Sequence, residues 1–416
     1  MTSDRPRVAV TGLGAITALG PDVRSLDEGL RAGRCAVDTL TLFDVAGLRT
    51  NLAGQAPDPA PLFEGQARLS GLPEGPTQPR LVANTSRPDR FGLQAAFEAV
   101  RDAGLAPADL ERAACVLGTG TGGAALTEEY MRRLGHDGEA GADPSLLVSH
   151  QPCSVTDLVC RHLGIHGPRS TIMTACSSSA TALGVAADQI TLGRAEVALA
   201  GGAEGLCMLT YAGFACLRAT STERCKPFDA ARSGLNLGEG AAAVVLESEV
   251  RARARGARIY GYLAGWGISA DAHHMTAPHP TGDGAARAML AALADARLPA
   301  SAVGYVNAHG TATPHNDAAE SAALMRVFGD RVPPVSSTKS MLGHTLGAAG
   351  AIEAVVSLLA LHHGYLPPTA NHDTPDAAFA NLDFIPGTAR AQQVDAVLSS
   401  SFAFGGNNTV LAFTRQ

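Results

Sequence analysis

The chain has 416 residues, of which 46% are hydrophobic and 17% are charged, and its formal net charge is -7 at pH 7. These values predict a packed, soluble globular protein of two similar halves or two domains. The negative charge gives no reason to expect nucleic-acid binding. No run of 18 apolar residues occurs and the N-terminal segment lacks an apolar stretch, so neither a membrane span nor a signal peptide is predicted.

All eight cysteines fall between residues 35 and 225, without a C-x-x-C pair and without regular spacing. This pattern argues against a disulfide framework or a zinc site and predicts reduced thiols in the cytoplasm. The basic residues are arginines except for two lysines, Lys226 and Lys339. Each lysine is therefore a candidate for a specific task.

Strand-like and helix-like segments alternate along the chain in two series. The first series predicts a strand over 8–12 that enters a glycine turn, helices over 25–32, 91–103 and 180–191, and strands over 113–117, 170–173, 196–199 and 241–246. Residues 35–90 are rich in proline and glycine and predict a loop-dominated insertion. The second series predicts strands over 259–265, 303–307, 334–337, 395–402 and 409–414, and helices over 284–296, 316–328 and 348–362. Such alternation predicts an α/β protein with layered sheets.

Two segments of the chain, 167–190 and 332–355, share an order of features. Each has a proline, a strand-like run, a T-x-C or T-x-S corner and then a helix of small residues. A duplicated half-domain would explain this similarity, with equivalent corners meeting at a central site.

Cys176 lies between the predicted strand over 170–173, which we expect to be buried, and the predicted helix of small residues. A cysteine among alanines and serines is usually a small buried apolar side chain. At a strand-to-helix turn, however, the thiol faces the positive end of the helix dipole, which favours the thiolate. None of the other cysteines has this setting, so Cys176 is the candidate nucleophile.

Two histidines, His309 and His344, follow predicted strands in glycine-flanked loops. A single histidine is more often a hydrogen-bonded structural residue. Two of them at strand exits, with a cysteine at a third, predict a shared site because loops converge there. We expect the helix after His309 to be capped by Asn316 or Asp317.

These residue types suit thioester chemistry. A cysteine can hold an acyl chain as a thioester, and two neutral imidazoles can donate through Nε2 to negative charge on a nearby thioester oxygen. Such donors are what the enolate of a decarboxylating malonyl unit requires. Lys339 is predicted either to tune the local field or orient the corner, or to form a structural ion pair, for instance with Glu320.

A glycine pair, Gly405 and Gly406, follows the last but one predicted strand. Paired glycines permit close backbone approach and positive φ. A backbone N–H in this segment would therefore supply half of an oxyanion hole beside Cys176, whose own amide supplies the other half.

Five segments together resemble the β-ketoacyl-[acyl carrier protein] synthases, the condensing enzymes of thiolase-like fold. They match in order and spacing, and they are TACSSS at 174–179, PFDAARSGLNLGEGA at 227–241, NAHGTATPHND at 307–317, STKSMLGHTLGAAG at 337–350 and SFAFGGNN at 401–408. The resemblance covers essentially the whole chain and implies a duplicated, five-layered αβαβα fold. Residues 1–255 would form the half with the nucleophilic cysteine, and residues 256–416 the half with both histidines and a gating loop.

The resemblance also implies the substrates and partners. Acyl groups would arrive on the phosphopantetheine of an acyl carrier protein, and no other cofactor is required. The chain would form a homodimer, or a heterodimer with a homologous chain-length factor. No nucleic acid is expected as a partner.

By motif position, the resemblance assigns roles to individual residues. Cys176 matches the acylated nucleophile, His309 and His344 match the residues that polarise the malonyl thioester, and Lys339 matches the family lysine. Phe404 matches the gating phenylalanine whose amide joins that of the nucleophile in the oxyanion hole. The remaining assignments are Thr311, Thr313, Phe404 and Gly405 for substrate binding, and Asn307, Glu353 and Ser399 for a structural monovalent cation that some members hold.

Two departures from the fatty-acid pattern bear on the pathway. Ala403 stands where most fatty-acid members have glycine, and its Cβ restricts φ in the gating loop. The Asn407-Asn408 ending and the Thr-Ala-Thr after His309 resemble ketosynthases of aryl polyene or reducing type II polyketide pathways. We therefore expect polyene or polyketide biosynthesis, with housekeeping fatty acid elongation as the alternative.

Three other classes are open to the sequence. A non-catalytic chain-length factor typically lacks the nucleophilic cysteine that this chain has. A thiolase would need a late catalytic thiol, and no cysteine follows Cys225. A cysteine hydrolase would leave the second histidine and Lys339 without tasks.

Overall fold

The computed structural model describes residues 6–59 and 85–416 of the chain. Within these ranges, fifteen strands are present. They are β1 (Val8–Thr17), β2 (Asp38–Thr39), β3 (Leu52–Gly54), β4 (Ala114–Gly118), β5 (Arg169–Ile172), β6 (Val197–Glu204), β7 (Leu237–Gly238), β8 (Gly240–Ser248), β9 (Gly261–Ala270), β10 (Tyr305–Asn307), β11 (Val335–Ser336), β12 (Tyr365–Leu366), β13 (Arg390–Ala391), β14 (Ala396–Phe402) and β15 (Asn407–Thr414).

The α-helices of the described residues alternate with these strands. They are α1 (Val23–Arg31), α2 (Arg87–Ala103), α3 (Pro107–Leu110), α4 (Ala124–Asp137), α5 (Ser154–Leu163), α6 (Ser178–Thr191), α7 (Met208–Cys216), α8 (Glu249–Ala254), α9 (Asp283–Asp295), α10 (Pro314–Phe328), α11 (Lys339–Leu342) and α12 (Ala349–His363). Most predicted elements are therefore present, with ends shifted by a few residues.

The main sheet contains the same five-strand pattern twice. Its order is β11-β10-β14-β15-β9-β1-β8-β6-β4-β5, and β9 pairs with β1 at the centre. On the side of β1, the β1–β8 and β8–β6 pairs are antiparallel, and the β6–β4 and β4–β5 pairs are parallel. On the side of β9, the β9–β15 and β15–β14 pairs are antiparallel, and the β14–β10 and β10–β11 pairs are parallel. This repetition confirms the predicted duplication, whereas the exact division at residue 255 stays a prediction.

Helices cover both faces of each five-strand set and produce five layers. Helices α6 and α12 pack against each other and against strands of both sets, so they form the central layer. Helices α2 and α5 cover the outer face of the first set, and α9 and α10 cover that of the second. The αβαβα prediction is therefore confirmed. Every residue of α12 from Ala349 to Leu361 is buried, as expected for a helix that is apolar on all sides.

One helical segment of the described residues, Leu346–His363, is long and apolar enough to cross a membrane, and 89% of it is buried inside the protein. The core helix of a soluble protein meets the same criteria, so the segment is weak support for a membrane span. Its position between the two strand sets accounts for its composition.

Strand β1 differs from its prediction. The sequence predicts a turn at Gly12, but the strand continues to Thr17 through a bulge. A Cβ on Gly12 or Gly14 would lie only 2.1 or 1.9 Å from a backbone oxygen of helix α2. These glycines therefore serve the close approach of a helix rather than a turn.

We expect Gly14→Ala to lower the free energy of unfolding by about 1–3 kcal/mol, because the new methyl group forces strand and helix apart. Urea denaturation of both proteins measures the difference. Gly135→Ala is the matched control: Gly135 lies in α4 with no atom near its Cβ position, and the change should be neutral or stabilise by up to about 1 kcal/mol. Equal losses in the two variants would contradict this role of Gly14.

Two other local predictions need correction. Strand β5 is not buried: its first two residues are exposed and its last two are half-buried, because it is the edge strand of the sheet. The predicted insertion over 35–90 ends before Arg87, where Ser86 and Asp89 form a reciprocal cap at the start of α2. Residues 60–84 of that insertion lie outside the described residues.

Candidate active site

Cys176 lies at the predicted strand-to-helix corner. Strand β5 ends at Ile172, a single 3-10 turn spans Ala175–Ser177, and α6 begins at Ser178. Ala175 has a φ of 52°, a left-handed value that a residue with a Cβ seldom adopts. This strained residue turns the chain sharply, and Cys176 is 5% exposed.

The corner in the second half that corresponds to Cys176 lies at Leu346–Ala348. That 3-10 turn also precedes a central helix, and Leu346 has a φ of 46°. Gly347 therefore occupies the place of Cys176. The repeat in the sequence aligns the T-x-C corner with Thr338-Lys339-Ser340. This alignment is wrong, because Lys339 and Ser340 belong to α11, which precedes the corner.

His344 contacts the thiol directly. Its Nε2 lies 3.1 Å from Cys176 Sγ, and its Nδ1 accepts the backbone N–H of Leu346 at 3.3 Å. Because Nδ1 is an acceptor, the ring proton is on Nε2, which therefore donates toward the sulfur. The backbone N–H of His344 donates to Asn236 O at 2.7 Å and fixes the start of this loop.

His309 completes the cluster from the end of β10. Its ring centroid lies 5.3 Å from that of His344, with the two rings nearly perpendicular. The backbone N–H groups of His309 and Gly310 each donate to the buried carboxylate of Glu320 at 2.8 Å. The sequence predicts that two histidines and a cysteine meet, and the structure brings all three together.

A cysteine and two histidines are also potential ligands of a metal ion, and their ligand atoms lie within 4.8 Å of one another. A metal on His344 Nε2 would require the proton to move to Nδ1. There it would face the N–H of Leu346, which now donates to that atom. The hydrogen bonding of this site thus suits proton donation better than metal ligation.

Burial controls the protonation of the cluster. It lowers the pKa of His309 and His344 well below the usual value, and the positive charge of Lys339 lowers them further. Both rings are therefore neutral at pH 7, as predicted. Burial also raises the pKa of Cys176 to about 11, while Lys339 and a hydrogen bond from the Phe404 backbone oppose this rise. The pKa of the thiol is therefore raised, whereas its position at a helix N-terminus alone predicts a lowered pKa.

Alkylation of the free enzyme should reveal this high pKa. Because only the thiolate attacks iodoacetamide, the rate at Cys176 is expected to rise about tenfold per pH unit from pH 7 and to level off near pH 11. Peptide mass spectrometry after brief exposure at each pH measures this rate. If the alkylation rate levelled off below pH 8, the helix N-terminus would have a larger effect on the pKa of Cys176 than burial.

Lys339 forms a buried ion pair, but with Glu353 rather than with Glu320. Burial raises the pKa of Glu353 to about 7, and the lysine opposes this rise. The sequence offered Glu353 only as a cation ligand. The charge of Lys339 also lowers the pKa of Cys176 and of both histidines. Lys339 therefore both forms an ion pair and influences the local electrostatic field.

Helix α10 begins earlier than predicted, at Pro314, so Thr313 is its N-cap residue instead of Asn316 or Asp317. The Asp317 carboxylate instead accepts the backbone N–H groups of Phe228 and Ala312. Proline is favourable at the first helical position, and this signal in the sequence would have corrected the prediction.

The Phe402–Asn408 segment lies over the thiol. The ring of Phe404 stacks on Phe214 with centroids 5.4 Å apart. Ala403 has φ −118° and ψ 156°, which alanine adopts without strain, whereas Gly405 and Gly406 have φ values of 82° and 72°. This conformation of the loop therefore needs glycine at those two positions and tolerates the departure at Ala403.

A cavity of about 500 Å³ leads to the cluster. Its walls include six of the predicted site residues, which are Cys176, His309, His344, Thr311, Thr313 and Phe404. Thr311 and Thr313 place their hydroxyl oxygens 2.9 Å apart. Gly405 is not in the wall, and its N–H donates to Met275 O at 2.8 Å. The wall also contains Phe214, Arg218, Asp271 and His274, which no sequence motif marks.

The three residues predicted to bind a cation, Asn307, Glu353 and Ser399, are buried and lie outside the cavity wall. Asn307 and Ser399 are neighbours across the β10–β14 pair. Both polar atoms of the Asn307 side chain and one Glu353 oxygen have no hydrogen-bond partner among the described residues.

The duplicated five-layered fold and a buried cysteine with two neutral histidines define a condensing enzyme of the thiolase-like class. Residues 5–252 match the family described as beta-ketoacyl synthase, N-terminal domain, and residues 260–373 match its C-terminal domain. The chain belongs to the β-ketoacyl synthase family and is an acyltransferase.

Relatives and solved structures are similar to the chain over essentially its whole length. It is 37% identical to 3-oxoacyl-[acyl-carrier-protein] synthase 2 of Synechocystis sp., with 99% of each chain covered. It is 39% identical to a putative polyketide beta-ketoacyl synthase 1 of Streptomyces cyaneus, with 98% of each covered.

Among solved structures, the ishigamide ketosynthase/chain length factor superposes with a TM-score of 0.92 at 36% identity, covering 99% of this chain and 100% of that one. A type II polyketide ketosynthase in complex with its acyl-carrier protein and bound to the hexaketide gives 0.89 at 31% identity, with 99% and 100% covered.

Proposed function

We propose that this enzyme takes an acyl chain onto Cys176 and elongates it by decarboxylative condensation with a malonyl unit on an acyl carrier protein. The observation that carries the proposal is the contact of His344 Nε2 with Cys176 Sγ, with neutral His309 beside it in one cavity. A nucleophile and two neutral donors are the set that this reaction needs.

The first step transfers the acyl group. The Cys176 sulfur attacks the thioester carbonyl of the donor, and the carbonyl oxygen gains negative charge. The backbone N–H groups of Cys176 and Phe404 would stabilise that charge, since both residues line the cavity. The thiol proton passes to the departing pantetheine thiolate, so a cysteine thioester and a free carrier thiol result.

The second step forms the carbon–carbon bond. Loss of carbon dioxide from the malonyl thioester leaves an enolate, whose oxygen accepts hydrogen bonds from His309 and His344. The enolate carbon attacks the acyl carbon on Cys176, and the C–S bond breaks. The sulfur leaves as a thiolate, which takes up one proton from the solvent. Burial keeps both rings neutral, and in a desolvated site such donors stabilise charge more strongly than in water.

Thr311 and Thr313 lie in the cavity wall, where their paired hydroxyl groups are suited to hydrogen-bond the amides of a pantetheine arm. Lys339 would act through its field on the cluster rather than by touching substrate. Gly405 would act as part of the gating loop, since it does not line the cavity. No resident cofactor is needed for either step.

Asn307 and Glu353 suit a structural monovalent cation, because their unpartnered buried oxygens are suitable ligands. Ser399 is adjacent to Asn307 in the sheet and would be the third ligand. A bound cation would supply positive charge behind the strand that leads to His309.

We assign the enzyme to polyene or type II polyketide biosynthesis in the cytoplasm, with an acyl carrier protein and a dimer partner that is a second copy or a chain-length factor. The motif details after His309 and at Asn407-Asn408 support this pathway, and similar solved structures include one ketosynthase with a chain length factor and one with an acyl-carrier protein. Fatty acid elongation is the alternative, since the identity to a 3-oxoacyl synthase is nearly the same.

A competition assay tests the proposal. The purified enzyme receives an equimolar mixture of short saturated and polyunsaturated acyl donors on carrier protein, without a malonyl donor. Mass spectrometry then identifies which acyl group has been transferred to Cys176. Preference for unsaturated donors is expected. Equal or greater use of saturated donors would favour fatty acid elongation, and no acylation by any donor would refute the condensing role.

A further inference from the structure

Two cysteines that the chemistry above does not use lie behind the turn that carries Lys339. Cys35 follows α1 and Cys225 precedes the PFDAAR segment, yet both contact α11. The Cys35 thiol donates to Ser340 O at 3.2 Å, and the Cys225 thiol donates to Lys339 O at 3.4 Å. Two successive carbonyl groups of one turn therefore each accept a thiol hydrogen bond.

The side chain of Asn371 joins the two cysteines. Its Nδ2 lies 3.2 Å from Cys225 O, 3.2 Å from Ser340 O and 3.8 Å from Cys35 Sγ. One amide nitrogen thus contacts both cysteine residues. The two thiols therefore belong to one small cluster around the carbonyl groups of Lys339 and Ser340.

This cluster is connected to the active site by short hydrogen bonds. Asn236 accepts the backbone N–H of Cys225 on its side chain at 2.7 Å and the backbone N–H of His344 on its carbonyl at 2.7 Å. Lys339 O, which accepts the Cys225 thiol, also accepts the N–H of Gly343 at 2.9 Å. A displacement of either thiol would therefore change hydrogen bonds at both ends of the segment from Lys339 to His344.

We propose that Cys35 and Cys225 form a redox-sensitive pair, and that a disulfide between them displaces the turn bearing Lys339 and slows condensation. An S–S bond is about 2 Å long, so its formation draws both sulfurs from their carbonyl acceptors and removes both S–H donors. Lys339 O and Ser340 O then lose one hydrogen bond each. The disulfide itself is independent of the proposed function, whereas its effect on condensation rests on it.

The oxidation balances with a hydroperoxide as oxidant. Cys35 is partly exposed and Cys225 is buried, so Cys35 reacts first, giving a sulfenic acid while the hydroperoxide leaves as an alcohol or water. The Cys225 sulfur attacks the sulfenic sulfur and water leaves. Two thiols lose two electrons and two protons, and the hydroperoxide gains them.

Treatment of the full-length enzyme with hydrogen peroxide tests the pair. Peptide mapping without reduction is expected to show the Cys35 and Cys225 peptides linked, with the loss of two hydrogen atoms. Condensing activity should fall by about tenfold to a hundredfold, as for small displacements of a catalytic group, and dithiothreitol should restore it.

Cys35→Ser is the matched control, because oxidation of Cys176 would affect it and the wild type equally. The variant should lack the link and lose less activity at the same peroxide dose. The pair is refuted if Cys35 and Cys225 stay unlinked while exposed Cys153 is oxidised, or if the linked enzyme keeps full activity. A disulfide in a protein that never condenses would support the pair and refute the proposed function instead.

Discussion

Cys176→Ala is expected to abolish the acyl-enzyme. Incubation of the wild type with an acyl carrier protein donor should add the mass of the acyl group, and the variant should show a loss of at least about 10³-fold in the rate of this addition. The reason is that Cys176 is the cysteine in the cavity wall among the described residues, and its sulfur lies 3.1 Å from His344 Nε2.

Cys153→Ala provides the matched control, since Cys153 is an exposed free thiol that does not line the cavity. It should acylate at the wild-type rate and map to the same labelled peptide. Acylation of Cys176→Ala at the wild-type rate would show that the nucleophile is another residue.

Loss of either histidine is expected to separate the two halves of the reaction. His309→Ala and His344→Ala should each slow decarboxylation of malonyl-carrier protein by about 10²–10³-fold, the usual effect of removing one donor from an oxyanion site. Acylation of Cys176 should survive in part, because its oxyanion donors are backbone groups. Release of carbon dioxide and the mass of the acyl-enzyme measure the two steps separately.

Two further variants sharpen this test. His309→Gln keeps a neutral N–H donor and should recover part of the decarboxylation rate. His166→Ala removes an exposed histidine and should leave both steps unchanged. Loss of acylation with decarboxylation intact would contradict the role of the pair, and failure of glutamine to rescue would argue for proton transfer rather than hydrogen bonding at His309.

Much of this architecture is predictable because its elements have local causes. Strand and helix alternation indicated the α/β class, and the repeated corner pattern indicated the duplication that the two five-strand sets confirm. The meeting of His309 and His344 was predictable because each follows a strand, and functional side chains collect in the loops at strand exits. Cys176 follows β5 at the opposite edge of the sheet order, and it joins the histidines because the corners of the two halves contact each other. Lys339 was recognised as unusual from composition alone.

The errors have physical reasons. Glycines in β1 predict a turn, but the close approach of α2 requires them in a strand, and that approach is invisible in a local pattern. Lys339 pairs with Glu353 and not with Glu320. The sequence did not predict this partner, because the pairing depends on the relative position of α11 and α12 in the fold. The effect of the helix dipole on the pKa of Cys176 is predictable from the local sequence, whereas the larger effect of burial follows only from the whole fold.

The two strained corners at Ala175 and Leu346 show how the duplicated halves have diverged. Both keep the same sharp turn before a central helix, yet a side chain at Gly347 would lie 2.4 Å from the backbone nitrogen of Gly120. The second corner thus has no room for a reactive group, and its N–H instead binds the buried carboxylate of Glu204. One corner of the duplicated fold thus carries the thiol that we propose as the nucleophile, whereas the other serves as scaffold, so the two related corners hold one thiol between them.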